Sequence, residues 1–408
     1  MRVKAGVVRM ALGLAVIFAL VNTPAGSSCV SAGDVEALVK GNNAFALDLY
    51  SVVSSRDGNI FISPYSISSA LAMTYAGARG NTAAQMANAL HYDPAAKQLH
   101  ESFSELDKAF NIKRNSYRLS IANALWGQIG LSFLPEYISI AEKHYGAGLK
   151  EVDFVYHTEE ARSTINRWVE GKTEGKIVDL IEPGVLDPLT RLVLTNAIYF
   201  KGQWEQQFRP EQTKEAPFRL STGKQVIVPF MHQVATFRYG ETGGTQVLEL
   251  PYRGNELAMA VLLPKPDSSL AELEAALRTD GVESILEALS PTLVDVSIPR
   301  FKFEAELSLN GYLKQLGMVD AFDDNIADFS GMSDMFLYIT HVLHKAFIEV
   351  NEEGTEAAAA TAVVMGTRSI RLDAPKVFMA DRPFVFLIRD VRTGSILFMG
   401  RMADPLSK

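Results

Sequence analysis

The sequence predicts an α+β fold, and three observations carry the prediction. Stretches with apolar residues at helical spacing crowd the first half of the chain, beginning with Asp34 to Val53. Leu192 to Trp204 is almost unbroken apolar sequence, the pattern of a strand buried on both faces. Residues 217–264 read as successive strands, with turns at Thr222-Gly223, Gly243-Gly244 and Arg253-Gly254. Helices and strands are grouped rather than strictly alternating. No period repeats and no Pro/Ser-rich linker divides the chain, so a single domain is expected over 34–405.

The 408 residues are 48% hydrophobic, which suits a packed domain. A net charge of −8 argues against nucleic acid as a partner. Residues 1–29 read as a secretory signal peptide, with Arg2, Lys4 and Arg9 ahead of the apolar run Met10 to Val21 and cleavage at about 25–32. A secreted protein, extracellular or periplasmic, is therefore expected. Cys29 is the single cysteine, so no intramolecular disulfide can form. It is also a candidate lipid-attachment site, although Gly26 stands where an aliphatic residue is usual.

After the first helix, a short strand is expected to end at Ser63, followed by a helix over Tyr65 to Ala76 with Pro64 at its start. That helix is apolar or small almost all round, so it should be buried, and Ser63 and Ser66 then need hydrogen-bond partners. Helices follow over Thr82 to Leu90, Lys97 to Phe110, Pro135 to His144 and Glu159 to Thr173, with a strand over Ile121 to Trp126. Leu270 to Leu289 reads as a helix interrupted at Gly281, Val294 to Phe303 as a strand, and Leu307 to Leu316 as a helix ending at Gly317. Phe336 to Val350 reads as a long strand, and Phe384 to Ile388 with Ser395 to Met399 as a hairpin.

Between the last two of these features lies Glu352 to Arg371. Its four consecutive alanines are compatible with a surface helix capped by Thr355. The same residues also read as a strand held in reserve. At period two, one face carries Thr355, Ala357, Ala359, Thr361 and Val363, and the other Glu356, Ala358, Ala360 and Ala362. The Thr355 face is small and uncharged throughout and could pass between existing strands, and Gly354 supplies a permissive hinge.

The stretch Glu352, Glu353, Gly354, Thr355, Glu356, Ala357, Ala358, Ala359, Ala360 resembles the hinge of inhibitory serpins, serine protease inhibitors that trap proteases by loop insertion. The blocks Asn196 to Trp204, Arg382-Pro383-Phe384-Val385-Phe386 and Phe398-Met399-Gly400-Arg401 resemble the same family. The resemblance implies three β-sheets, about eight to nine helices and an exposed reactive-centre loop, here 352–376. Counting to the seventeenth residue from Glu352 places Arg368 before the scissile bond and Ser369 after it. Arginine is what a trypsin-like pocket with a buried carboxylate selects. The resemblance also implies that Ser63, Ser66, Asn196 and His344 lie under the sheet that opens and Trp204 at its top. Each of Asn196 and His344 is equally readable as an ordinary satisfied core residue. The stretch from Ser369 to Pro383 is longer than the family's usual loop, which bears on how Arg368 is presented.

Enzyme chemistry finds no support. No Gly-x-Ser-x-Gly or His-Glu-x-x-His motif occurs, and His341 and His344 fall on opposite faces of a strand. No metal or cofactor is implied. Lys97, His100 and Lys108 are balanced by Glu101, Glu105 and Asp107, so no strong heparin site is expected. The implied partner is a trypsin-like serine protease in a covalent complex, with the inhibitor a monomer; a non-inhibitory serpin acting as carrier or chaperone is the alternative. Arg368→Ala is expected to abolish action on trypsin-like targets in a residual-activity assay. Retained inhibition would shift the contact to Arg371.

Overall fold

Six of the eight α-helices in the described residues lie before residue 173, where the helical spacing is densest. The computed structural model describes residues 30–110, 117–146, 149–355 and 374–407. Helix α1 (Ala32–Val53) starts with a capping box, the Ser31 hydroxyl accepting from Asp34 N–H and the Asp34 carboxylate from Ser31 N–H. Helix α2 (Pro64–Tyr75) is capped by Ser63, has proline at its first position, and is buried from Pro64 to Thr74. It is followed by α3 (Gly80–Leu90), α4 (Leu99–Phe110), α5 (Pro135–Tyr145), α6 (Thr158–Lys172), α7 (Leu270–Leu286) and α8 (Asn310–Gln315). Helix α7 breaks at Gly281, whose φ of 75° and ψ of 170° lie far from helical values, at the interruption read from the sequence.

The strands are β1 (Ile60–Ile62), β2 (Tyr117–Gln128), β3 (Lys150–Val152), β4 (Leu192–Gln203), β5 (Lys214–Arg219), β6 (Gln225–Thr242), β7 (Thr245–Pro251), β8 (Leu257–Pro264), β9 (Ser290–Pro299), β10 (Phe301–Ser308), β11 (His341–Val350), β12 (Gly354–Thr355), β13 (Lys376–Met379), β14 (Phe384–Asp390) and β15 (Ile396–Met402). A six-stranded sheet has the order β10-β11-β12-β4-β2-β3. A nine-stranded sheet has the order β1-β15-β14-β8-β7-β6-β9-β13, with β5 added to β6.

The sequence reading differs from this structure in four places. Three sheets are expected, but the described strands form two hydrogen-bonded sheets. The cause is β6, which runs for 18 residues, bonding β5 and β9 along one part and β7 along another, so two strand groups become continuous. The single strand expected over Val294 to Phe303 is two, β9 and β10, which break at Arg300 and enter different sheets. The helix expected from Leu307 starts only at Asn310, because Leu307 and Ser308 finish β10 opposite His344 and Leu343. Phe336 to Thr340 are not strand; β11 begins at His341, where pairing with Val193 of β4 starts.

The six-stranded sheet is covered on both faces, which explains its apolar strands. Helix α2 lies against one face. Against the other, α6 and the segment after it bury Ile165, Val169, Ile177 and Ile181 in one cluster with Trp126, Ala197, Tyr199 and Phe347. Where the two sheets meet, Phe61 stacks on Phe398 at 5.1 Å between ring centroids and on Phe386 at 5.8 Å, with Phe303 edge-on at 6.3 Å. A side chain at Gly400 would collide with the Phe386 ring and the Ile60 carbonyl, so glycine is required for the stack. Phe61→Ala is expected to cost about 3–5 kcal/mol in denaturant unfolding, the usual loss for a fully buried aromatic.

Candidate functional site: the seam between β4 and β11

The central strands of the six-stranded sheet meet along a parallel seam in which His341 to Phe347 pair with Val193 to Tyr199. Above Tyr199 the two strands part, and β12 enters between them. Gly354 lies opposite Gln203 and Thr355 opposite Gly202, antiparallel to β4, while Thr355 also pairs with Val350.

The chain reverses into this position through Asn351. Its side-chain oxygen accepts from Glu353 N–H at 3.0 Å and Gly354 N–H at 3.3 Å, and its own N–H donates to Gly354 O at 2.9 Å. Gly354 has φ +154°, and a Cβ there would stand 2.0 Å from Gly202 O, so no other residue fits.

Trp204 holds the turn. Its N–H donates to Glu353 O at 2.9 Å and its indole nitrogen to Asn351 O at 3.0 Å. Tyr252 stacks on Trp204 at 4.6 Å, and its hydroxyl meets the Thr355 hydroxyl at 2.7 Å. Thr355 is thereby buried, 1% exposed, facing the core. Glu352 is buried too, its carboxylate bonded by Arg300 and Thr213. Burial acts to raise the Glu352 carboxyl, but the Arg300 and Thr213 hydrogen bonds outweigh it and hold the group below the usual carboxylate range.

Halfway down the seam, His344 and Asn196 are register partners, each 0% exposed. Ser63 N–H donates to His344 Nε2 at 3.4 Å, which leaves the ring proton on Nδ1, donated to Asn196 Oδ1 at 2.5 Å. The Asn196 amide donates to Ser66 Oγ at 2.7 Å and to Asn123 Oδ1 at 2.5 Å, and Asn123 donates to Ser66 O at 3.1 Å. Ser63 Oγ accepts from Ser66 N–H at 3.3 Å and donates to Leu397 O at 2.7 Å. One buried network thus ties both sides of the seam to the start of α2. Burial pushes the His344 imidazole down to about 3, against the smaller opposing effect of its bond to Asn196.

Ser63, Ser66, Asn196 and His344 therefore lie in one cluster, and Trp204, Glu352, Glu353, Gly354 and Thr355 in another at the top of the sheet. Glu356, Ala357, Ala358, Ala359, Ala360, Arg368 and Ser369 lie outside the described residues, as do residues 1–29 with Cys29. Sequence reading missed Asn123, Tyr252, Arg300 and Thr213. Asn123 carried a usable signal, since it is the one amide within the apolar run Ile121 to Trp126 and pairs in register with Asn196.

Comparison with known proteins follows from this geometry. The family model for Serpin, serine protease inhibitor, matches residues 40–405. Leukocyte elastase inhibitor of Homo sapiens is 45% identical over 383 residues, covering 91% of this chain and 100% of that protein. The crystal structure of Serpin48 from the insect Tenebrio molitor, described as a highly specific serpin, superposes with a TM-score of 0.82 at 33% identity, covering 90% of this chain and 98% of that one. Thyroxine-binding globulin in complex with thyroxine superposes with a TM-score of 0.81 at 31% identity, covering 91% and 100%.

The buried imidazole sets a pH dependence. Its folded value, about 3, lies below the ordinary 6.5, so stability from neutral His344 is complete above about 6.5 and is lost as pH falls toward 3. His100, lowered to about 4 by burial, acts with the same sign. The melting temperature of the intact protein is expected to drop between pH 7 and 4, and His344→Gln to flatten part of that slope. An identical slope in the variant would exclude His344 as a contributor.

Proposed function

This chain belongs to the serpin family of serine protease inhibitors, and from that premise we propose that it traps a trypsin-like serine protease at Arg368-Ser369 by inserting its cleaved loop into the β4–β11 seam. The family is one of protease inhibitors rather than enzymes. The observation that carries the reading is β12, two residues of the hinge already paired between the strands that would have to part.

The protease serine hydroxyl adds to the Arg368 carbonyl carbon. The Arg368–Ser369 amide breaks, Ser369 leaves as an amine that takes up the proton, and an ester joins Arg368 to the enzyme. Cleavage frees the loop to continue down from Thr355. In the register set by β12, Thr361 comes opposite both Asn196 and His344, so a small polar residue meets the buried network where the seam is polar. About thirteen residues at ~3.3 Å make a strand of roughly 43 Å. At ~1 kcal/mol of net gain for each hydrogen bond, insertion is worth on the order of 10 kcal/mol, comparable with the whole stability of an ordinary domain. That energy, applied through the ester, distorts the enzyme's catalytic site and stalls hydrolysis, so inhibition is irreversible and one-to-one.

Arginine at 368 suits a pocket with a buried carboxylate better than the small pocket of elastase, on which the human relative is named as acting. We read residues 1–29 as a secretory leader, which makes the inhibitor a secreted monomer, with attachment through Cys29 the alternative. We assign no strong heparin site to α4, where Lys108 pairs with Glu105 at 2.7 Å and Asp107 accepts from the Tyr65 hydroxyl at 2.5 Å. Ligand carriage, as thyroxine-binding globulin carries thyroxine, is the second reading. The small side chain and buried position of Thr355 favour inhibition over it.

Mixing the protein with trypsin is expected to give an SDS-resistant adduct and a cleaved form that melts far above the intact one. Thr355→Arg places a charge where the Tyr252 hydroxyl now receives a threonine, so this variant is expected to be cleaved at Arg368 without an adduct. Undiminished inhibition by Thr355→Arg would remove the insertion mechanism.

A further inference from the structure

We infer that an exposed apolar cluster at the far end of the seam, formed by Ile129, Leu189, Met335 and Phe336, is the seat for the trapped protease in the covalent complex. The inference rests on the insertion reading above and adds a defined contact surface to it. Thr355 lies opposite Gly202 on β4 and Val350 on β11, and in an antiparallel ladder each step along the loop is one step back along both neighbours. Arg368, thirteen residues past Thr355, then falls opposite Leu189 on one side and Leu337 on the other. Strands β4 and β11 begin at Leu192 and His341, so the ester-linked residue emerges just beyond their ends.

The two register positions meet in space. Thr340 N–H donates to Leu192 O at 2.9 Å, the Thr340 hydroxyl accepts from Arg191 N–H at 3.1 Å, and the Tyr338 hydroxyl donates to Leu189 O at 3.5 Å. Gln128 N–H donates to Arg191 O at 3.0 Å, which brings the end of β2, and with it Ile129, to the same place.

One exposed leucine needs no explanation, but four large apolar residues at one end of one sheet do. Leu189 is 67% exposed, Ile129 57%, Phe336 54% and Met335 50%, although Leu337 and Ile339 beside them are buried. Exposed Asp187 and Asp334 flank them, giving an apolar centre with a polar rim. A protease pulled out of shape at its catalytic end presents side chains from its own core there, and an apolar surface is what such side chains bind. The seat thereby opposes refolding of the enzyme and the hydrolysis that would follow.

The test uses the full chain with Cys29→Ser, Leu189→Cys labelled with an environment-sensitive dye, and trypsin as the probe. The dye emission is expected to shift to the blue in the SDS-resistant adduct and not in inhibitor that has been cleaved and released. The double variant Leu189→Ser/Phe336→Ser is expected to form the adduct at an unchanged rate but to lose it about tenfold faster. An unshifted dye in the adduct together with an unchanged lifetime overturns the seat while leaving insertion intact. A shift that appears in the inhibitor alone as its concentration rises assigns the cluster to a second copy and also overturns it. Failure of the unsubstituted protein to form any adduct overturns the insertion reading and the seat with it.

Discussion

The hydrogen bond between His344 and Asn196 is the interaction on which the rest of the molecule depends. It joins two strands that are parallel neighbours only because a third strand is absent between them. A parallel pair in the middle of an otherwise antiparallel sheet gives up little per residue, but the polar groups at its centre cannot be left unpaired in a site with no access to water. Asn123, Ser63 and Ser66 complete their hydrogen bonding and anchor it to α2, the helix buried almost throughout its length. The seam is therefore closed in a way that depends on one proton position and a few short contacts, while the strands outside it rest on large apolar clusters.

The top of the seam is built on a different principle. There the contacts are aromatic and steric: Tyr252 on Trp204, the hinge carbonyls on the Trp204 nitrogens, and Gly354 pressed onto Gly202. The Glu352 carboxylate fixes the turn to Arg300 at the point where β9 gives way to β10. Rigid anchoring at the hinge and a polar, breakable centre below it are what a chain needs if a strand is to be added from one end only.

Much of this was legible in the sequence. The helices, the run of hairpins from residue 214 and the interruption at Gly281 follow from periodicity and glycine placement, because each is decided locally. The polar residues Asn196 and His344 stand out in apolar strands for the same reason. What local pattern does not contain is partnership. Tyr252, Arg300 and Thr213 are unremarkable in their own segments and acquire meaning only through Thr355 and Glu352, far away in the chain. The break at Arg300 was hidden because the residues on either side are equally strand-like and only the choice of sheet differs. The long β6 escaped for a related cause, since no local signal says that one strand will serve two groups of neighbours.

The two residues of β12 also bear on how strand addition is timed. Zipper-like processes are slow at the first contact, when chain freedom is lost for a single bond, and fast afterwards. With Gly354 and Thr355 lodged between β4 and β11, that first contact has already been made in the resting molecule, and the alignment of every later residue is decided along with it. A foreign strand competing for the same gap would have to unseat this pair and choose its own alignment, so the tethered segment holds a head start that owes nothing to its affinity.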